Sequence, residues 1–288
     1  MTLPTFLGIG VPRAGTTWLH TLLSEHPDAY LPTRRKEVRF FDRHFDRGLE
    51  WYEGFFSPPE GTGGYGAIGE ISPQYLYDQE APTRIATVLP SAKLLVMLRH
   101  PVDRAYSQYG FLLQRRNYHG SFEEFLRTRP RALEMGYYSP HLQRYLDRFD
   151  RRQILPVVFE EAVRGDDTVR RDLAEFLGIS DGGFPASTER VNASTMPRYP
   201  RLANLAVGTG RRLRRRHLES IVDLGGRLGV RRFMTSGTRV PRLDADLKSE
   251  LSRRYLDEFD ALEELLGIDL SCWKDRPAMR RTGDAAPV

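Results

Sequence analysis

The chain has 288 residues, of which 40% are hydrophobic, so it is long enough for one large α/β domain with a substantial core. Its formal net charge of +5, from 43 Lys and Arg against 38 Asp and Glu, is too small for a general polycation. The single cysteine, Cys272, excludes an intrachain disulfide framework. No stretch approaches the roughly 18 uninterrupted apolar residues of a membrane span, and the N-terminus shows no signal-peptide pattern. We therefore expect a cytoplasmic protein.

Residues 6–19 read FLGIGVPRAGTTWL and predict a strand, a glycine-bounded loop and a helix that begins at Thr16. Glycines let the backbone approach an anion, and the N–H groups at the start of the helix point toward it. The spacing is that of a P-loop, but Thr16 and Thr17 stand where a P-loop has Lys followed by Ser or Thr. The cation lies inside the loop, as Arg13, which favours an anionic group donor other than ATP.

The rest of the chain alternates strands with helices. Predicted strands cover residues 65–71, 93–98 and 154–159, and the second, KLLVML, is a continuous apolar run typical of parallel sheets. Predicted helices cover residues 82–89, 101–116, about 142–149, 167–177, 211–228 and 243–266. This alternation predicts an α/β class, a P-loop-like fold with a central parallel β-sheet flanked by helices. We expect one domain over residues 1–275 and a disordered tail over residues 276–288.

A second group of candidate residues follows the KLLVML strand. Arg99 comes directly after this strand, and Ser107 lies eight residues further on, in the following helix. A guanidinium group can make two hydrogen bonds to a phosphate, and a hydroxyl adds a third donor. An Arg after a strand is by itself more often part of a surface ion pair. Together with the loop, however, it predicts that two motifs hold the two ends of one nucleotide.

The loop VPRAGTTWL, residues 11–19, resembles the 5′-phosphosulfate loop of the sulfotransferase family, although the usual loop has Lys at the position of Arg13. These enzymes take a sulfuryl group from 3′-phosphoadenosine 5′-phosphosulfate (PAPS). The resemblance covers about residues 3–275 and is closest to bacterial members and to sulfotransferases of the carbohydrate and heparan type. It implies that Arg99 and Ser107 bind the 3′-phosphate of the donor. It also implies that the loop and the start of the helix bind the donor through Arg13, Ala14, Gly15, Thr16, Thr17 and Trp18.

Residues 35–42, RKEVRFFD, resemble the K-E-x-x-F-F-D segment of sulfotransferases that act on sugar hydroxyls or amines. A hydroxyl is a poor nucleophile unless its proton leaves as the new bond forms, so a base is required. The resemblance implies that Glu37 is this base and that Lys36, with Arg13, stabilises charge at the transferring group. It places Phe41 and Asp42 on the acceptor side. Four histidines are rival candidates for the base: His20, His26, His44 and His100.

Three further segments carry weaker resemblances. Residues 69–75, GEISPQY, resemble a segment that lines the acceptor side, so Glu70 and Tyr75 are candidate acceptor contacts, and a structural role for Glu70 is equally open. Ile71 replaces a Lys that relatives acting on glycosaminoglycans often have, which argues against a polyanionic acceptor. Tyr138 is a candidate nucleotide contact or a core aromatic residue. Asn192 and Arg198 resemble a donor-binding loop of bacterial relatives.

The sequence thus predicts an enzyme that moves a sulfuryl group from PAPS to a hydroxyl, or as second choice an amine. We expect the acceptor to be a sugar, a glycolipid or a small natural product, and we expect no metal. One alternative is a P-loop kinase that uses ATP and magnesium, and another is a non-catalytic basic adaptor for nucleotides or acidic membranes. The basic run 211–217 lacks the interleaved aromatics of a nucleic-acid site, so we expect no nucleic-acid partner. We expect at most peripheral contact with a membrane. The oligomeric state stays open.

Overall fold

The computed structural model describes residues 2–58, 64–116, 118–164, 167–185, 240 and 242–274. The predicted helix 211–228, the predicted tail 276–288 and the candidates Asn192 and Arg198 lie outside these residues. In the described ranges, no helix is both long and apolar enough to span a bilayer.

A five-stranded sheet forms the centre of the fold, with the strands in the order β2-β3-β1-β4-β5 and every neighbouring pair parallel. The strands are β1 (Phe6–Gly10), β2 (Ala29–Tyr30), β3 (Ala67–Ile71), β4 (Lys93–Leu98) and β5 (Ile154–Val158). Every residue of β1 and β3 is buried, as is β4 after its first residue. This burial explains why these strands read as continuous apolar runs and not as alternating patterns. The α/β class and the parallel sheet are confirmed.

Helices follow the strands and flank the sheet, as expected for crossover connections between parallel strands. In the described part of the chain they are α1 (Thr16–Ser24), α2 (Leu49–Glu53), α3 (Ala81–Val88), α4 (Pro101–Arg116), α5 (Phe122–Thr128), α6 (Arg131–Glu134), α7 (Ser139–Leu146), α8 (Phe159–Ala162), α9 (Asp167–Leu177), α10 (Ala245–Ser252) and α11 (Leu256–Leu266).

The predicted single helix over residues 243–266 is wrong, because the chain forms α10, a 3-10 turn at Arg253–Tyr255 and then α11. The interruption accompanies two long-range contacts. The hydroxyl of Tyr255 donates to the Leu133 carbonyl at 2.7 Å, and Glu258 accepts from the backbone N–H groups of Tyr138 and Ser139, both at 2.7 Å. The spacing of apolar residues does not reveal such contacts, because it reports only which face of a helix is buried.

The topology brings the candidate residues to one edge of the sheet. β1 leads into the loop of residues 11–15, β3 ends just before Ser72, and β4 ends just before Arg99. Since the three strands are adjacent and parallel, their carboxyl ends lie at the same edge, where ligands of such sheets bind. A π-helix at Phe40–His44, which the sequence did not predict, follows the segment that contains Glu37.

Candidate active site

The loop after β1 has the backbone of an anion-binding turn. Arg13 and Gly15 have φ angles of 76° and 86°, in the left-handed region, and the N–H of Val11 donates to the Met97 carbonyl at 2.8 Å. The helix α1 begins with no side-chain cap, so its first N–H groups are available to a ligand. A Cβ added to Gly15 would lie 2.6 Å from a ring carbon of Phe159. Both the backbone angle and the close packing therefore require glycine here.

Two cations meet at this loop. The ammonium of Lys36 donates to the Thr17 hydroxyl at 2.6 Å, and the guanidinium of Arg13 lies 4.5 Å from the centre of the Phe111 ring. Burial lowers the pKa of Lys36 below its usual 10.5, the charge of Arg13 lowers it further, and Glu37 opposes the shift. These interactions place Lys36 and Glu37 beside the loop, as the sequence predicts for groups that act on a bound phosphosulfate.

Arg99 lies at the end of β4 and is fixed from several sides. Its Nη1 donates to the Arg13 carbonyl at 3.0 Å, and its guanidinium lies 4.5 Å from the centre of the Phe159 ring. Within the described residues, its buried Nε has no hydrogen-bond partner, and burial lowers its pKa. Such a buried, incompletely paired cation suits a phosphate. Ser107 lies half-buried in the second turn of α4, the helix that follows Arg99.

Tyr138 is completely buried, and its hydroxyl donates to the carbonyl of Arg99 at 2.8 Å. Glu258 holds the N–H of the same tyrosine. Of the two interpretations that the sequence left open, this geometry agrees with the core aromatic. Tyr138 orients Arg99 from inside the protein and presents no surface to a nucleotide.

Glu37 is half-buried in the segment that leads to the π-helix. Among the described residues, no hydrogen bond engages its carboxylate, and Lys36 is a charged neighbour. A base needs an accessible lone pair within reach of the proton that it removes. The carboxylate of Glu37 is half-buried and unengaged within the described residues, but Glu37 is not among the residues that line the cleft.

The rival histidines are less suited to be the base. Burial and the charge of Lys36 lower the pKa of His20 to about 4, which makes it a weak base at neutral pH. Both ring nitrogens of His26 are engaged, with the Asp28 N–H at 3.0 Å and the Ser180 carbonyl at 2.8 Å. His44 lies 3.2 Å from a guanidinium nitrogen of Arg35, and His100 is buried.

A cleft of about 530 Å³ opens beside the loop. Its walls come from the donor loop, the π-helix, the turn after β3 and the helices α4 and α6: Pro12, Arg13, Arg39, Asp42, Arg43, Gln74, Tyr77, Asp78, Gln108, Phe111, Leu112, Arg131 and Met135. Sequence reasoning did not single out Gln108, Phe111 or Arg131. Gln108 is next to the candidate Ser107 in the sequence. This adjacency is the sequence feature that could have indicated that α4 lines the cleft.

Asp42 is the candidate acceptor residue that the structure places in the cleft. Its side chain is only 4% exposed, and the Nε of Arg39 donates to its Oδ2 at 2.7 Å, with a second contact from Nη2. Its buried Oδ1 has no hydrogen-bond partner among the described residues.

The other three acceptor candidates, Phe41, Glu70 and Tyr75, are fully buried and are not among the cleft residues. Glu70 accepts hydrogen bonds from the Tyr75 hydroxyl at 2.7 Å and from three further groups, and among the described residues it forms no ion pair, so its carboxylate contacts the protein interior and not the cleft. Trp18 lies half-buried on α1. The aromatic character of Phe41 and Tyr75 is as typical of a core residue as of a ligand contact.

Comparison with known proteins agrees with this geometry. The family model "Sulfotransferase domain" matches residues 3–196. A human bifunctional heparan sulfate N-deacetylase/N-sulfotransferase 3 is 34% identical in an alignment 200 residues long. The match covers 62% of this chain and 22% of the relative. A human heparan sulfate glucosamine 3-O-sulfotransferase 3B1 is 33% identical over 186 residues, 62% of this chain and 46% of the relative. The chain thus spans less than half the length of these relatives.

Among solved structures, a sulfotransferase from Alicyclobacillus acidocaldarius is similar with a TM-score of 0.68 and 27% sequence identity. The similarity covers 96% of this chain and the whole of the other chain. The loop, the parallel sheet and the family match point the same way: the chain belongs to the sulfotransferase family, whose enzymes use PAPS as the sulfuryl donor.

Proposed function

We propose that this protein transfers a sulfuryl group from PAPS to a hydroxyl, or as second choice an amine, with Glu37 as the general base. The observation that carries the proposal is the hydrogen bond between Lys36 and Thr17. It holds the residue next to Glu37 directly on the loop that is suited to the phosphosulfate. A carboxylate base, a cation and an anion-binding loop are then adjacent, as a direct transfer requires.

The donor-binding residues fit both anionic ends of PAPS. The N–H groups of residues 13 and 15–17, the hydroxyls of Thr16 and Thr17, and the charge of Arg13 are the groups suited to the phosphosulfate end. The N–H of Ala14 donates to the Val11 carbonyl at 3.2 Å. Arg99, whose buried Nε lacks a partner in the described residues, and Ser107 serve the 3′-phosphate. Bound PAPS supplies the sulfuryl group and leaves as adenosine 3′,5′-bisphosphate. Fixed positive groups that face the developing charge account for most of the rate enhancement.

The residues act together during transfer. Glu37 accepts the proton of the acceptor hydroxyl while the oxygen of that hydroxyl bonds to sulfur. Lys36 and Arg13 stabilise the negative charge that grows on the departing phosphate oxygen. Because both cations are already held in place, by Thr17 and by the Phe111 ring, little reorganisation is needed at the moment of transfer.

The cleft supports a hydroxylated acceptor, and we propose a saccharide as the first class to test. Gln74 and Gln108 offer hydrogen-bonding groups to hydroxyls, and Tyr77 and Phe111 offer apolar surface. The relatives whose names mention heparan sulfate are carbohydrate sulfotransferases, which favours the same class. Glycolipids and small natural products are the other candidates. The cytoplasmic location stays a prediction from the sequence.

Two measurements test the proposal. Calorimetric titration should show tight binding of adenosine 3′,5′-bisphosphate and weak binding of ATP with magnesium. Radiolabelled PAPS should then transfer its sulfate to one of three probes: a desulfated heparan oligosaccharide with free amines, a neutral glycolipid or a simple phenol. Preference for ATP with magnesium would favour the kinase. Bisphosphate binding without any transfer would favour the non-catalytic adaptor.

A further inference from the structure

The segment that contains Glu37 is held by side chains and not by a helix or a strand. Three anchor points follow the base, at residues 38, 39 and 41. The N–H of Val38 donates to Oε2 of Glu70 at 2.9 Å, the N–H of Arg39 to Oγ of Ser72 at 3.1 Å, and the N–H of Phe41 to the hydroxyl of Tyr75 at 3.4 Å. Buried N–H groups need partners, and here β3 and the turn after it supply them.

These acceptors form one buried cluster around the carboxylate of Glu70. Ser72 donates to its Oε2 at 2.6 Å, while Tyr75 and Tyr52 donate to its Oε1 at 2.7 and 3.0 Å. Together with Val38, four donors converge on the two oxygens. Glu70 itself lies in β3, beside Leu7 of β1, so the cluster is attached to the centre of the sheet.

We propose that Glu70 and Ser72 together are positioning residues that fix the backbone of residues 38–39 and so hold Glu37 near the donor loop. The opposite side of Glu37 is anchored independently, through Lys36 and Thr17. The base therefore lies between one anchor on the donor loop and one on the sheet. This proposal rests on the proposed function, since it assumes that Glu37 is the base.

A purely structural role explains the cluster less well. Burial raises the pKa of Glu70 above its usual 4.5 even though all four hydrogen bonds favour the charged form. A buried charge is costly, and apolar residues of the same volume often stabilise a core as well or better. What an apolar residue cannot supply is an acceptor for the N–H of Val38, or a partner that orients the hydroxyl of Ser72 toward Arg39.

Two matched variants separate positioning from stability. Ser72→Ala removes a donor to Glu70 and also the acceptor of the Arg39 N–H. Tyr52→Phe removes a donor to the same carboxylate. Within the described part of the chain, the Tyr52 hydroxyl forms no hydrogen bond with residues 36–41. In hydrogen–deuterium exchange of the full chain, we expect faster exchange at residues 38–39 in Ser72→Ala and little change there in Tyr52→Phe. Equal exchange in the two variants would overturn the proposal.

Turnover gives the second readout. It is measured by sulfate transfer to the probe that the unmodified protein sulfates fastest. Ser72→Ala should lower kcat by about 10- to 100-fold with unchanged KM for PAPS, because a displaced base weakens transfer without weakening donor binding. Tyr52→Phe should keep kcat within about threefold. Equal loss in both variants would show that only stability matters and would contradict the proposal.

The two proposals fail differently. If Glu37 is not the base, Glu37→Gln keeps its turnover while the exchange difference between Ser72→Ala and Tyr52→Phe remains. If Glu70 and Ser72 do not position the segment, Glu37→Gln is inactive but the exchange difference is absent. If the unmodified protein sulfates no probe, the proposed function is contradicted, and the exchange comparison still decides whether Glu70 and Ser72 hold residues 38–39.

Discussion

The donor side and the acceptor side of the site are built in different ways. On the donor side, β1, the loop, the start of α1 and the end of β4 place the binding groups through backbone hydrogen bonds of the sheet. On the acceptor side, residues 37–41 depend on buried side chains, chiefly Glu70, Ser72 and Tyr75. Regular elements make a rigid anion site, because the hydrogen bonds of the sheet fix the backbone that carries it. A side-chain network can present a base and a changeable cleft without altering the sheet.

This contrast has a practical consequence. Changes on the donor side should alter nucleotide binding or folding, whereas changes on the acceptor side should alter turnover while nucleotide binding persists. The following variants test that division.

Glu37→Gln should have the largest effect. Glutamine keeps the size of the side chain but cannot accept the acceptor proton, so kcat should fall by about 100- to 10,000-fold. Calorimetry should show unchanged affinity for adenosine 3′,5′-bisphosphate. Glu50→Gln, on the exposed surface of α2, is the control and should keep full activity. Retained activity in Glu37→Gln would exclude it as the base.

Gly15→Ala should damage the donor side most. The new Cβ would occupy a left-handed residue and clash with Phe159, so we expect a loss of about 2 to 4 kcal/mol in the free energy of unfolding. Gly267→Ala is the matched control, since Gly267 also lies in the left-handed region, with a φ of 62°, but has no atom within 4 Å of the added Cβ. It should lose only about 1 to 2 kcal/mol. Denaturant unfolding of both variants measures the difference, and equal losses would show that the Phe159 contact contributes nothing.

Arg99→Ala should weaken binding of adenosine 3′,5′-bisphosphate by about 10- to 100-fold, because charge-assisted hydrogen bonds to the 3′-phosphate are lost. Adenosine 5′-phosphate lacks that phosphate, so its affinity should change much less. Arg152→Ala is the control, since Arg152 is exposed and forms a surface pair with Asp150. Calorimetry checks all three comparisons. An equal loss for both nucleotides would place Arg99 away from the 3′-phosphate.

The smallest effect should come from Lys36. It should make the affinity for adenosine 3′,5′-bisphosphate depend on pH. A lysine carries its charge below its pKa, and burial lowers the pKa of Lys36 below 10.5. The charge is therefore lost earlier than usual as pH rises, and affinity for the bisphosphate should fall by at most about tenfold. Lys36→Arg keeps its charge over this range, so the fall should disappear. A fall of the same size in Lys36→Arg would assign it to another group.

The donor side could be predicted from the sequence because its signals are local. β4 and α4 have the predicted bounds, and α1 begins at the predicted residue, Thr16. A continuous apolar run, glycines at fixed spacing and a cation in the loop all lie within a few residues of one another. Neighbouring side chains and backbone angles decide such features, and both can be read in order along the chain.

The acceptor side could be predicted only in part. Asp42 was singled out and lines the cleft, but Phe41, Glu70 and Tyr75 are in the core. Arg131 of α6 went unnoticed, since nothing around it distinguishes a cleft residue from an ordinary surface arginine. A motif identifies which residues matter together, but it does not say which of them faces a ligand and which supports the one that does.

The sequence by itself determined the α/β class, the parallel sheet, the phosphate loop and the presence of Glu37 beside Lys36. Only the tertiary structure decided what Glu70 and Tyr138 do, since their hydrogen bonds join residues 32 and 39 positions apart. The physical reason is that strands and turns follow from local backbone preferences. The partner of a buried polar group is fixed only when distant segments pack together and every donor in the core must find an acceptor.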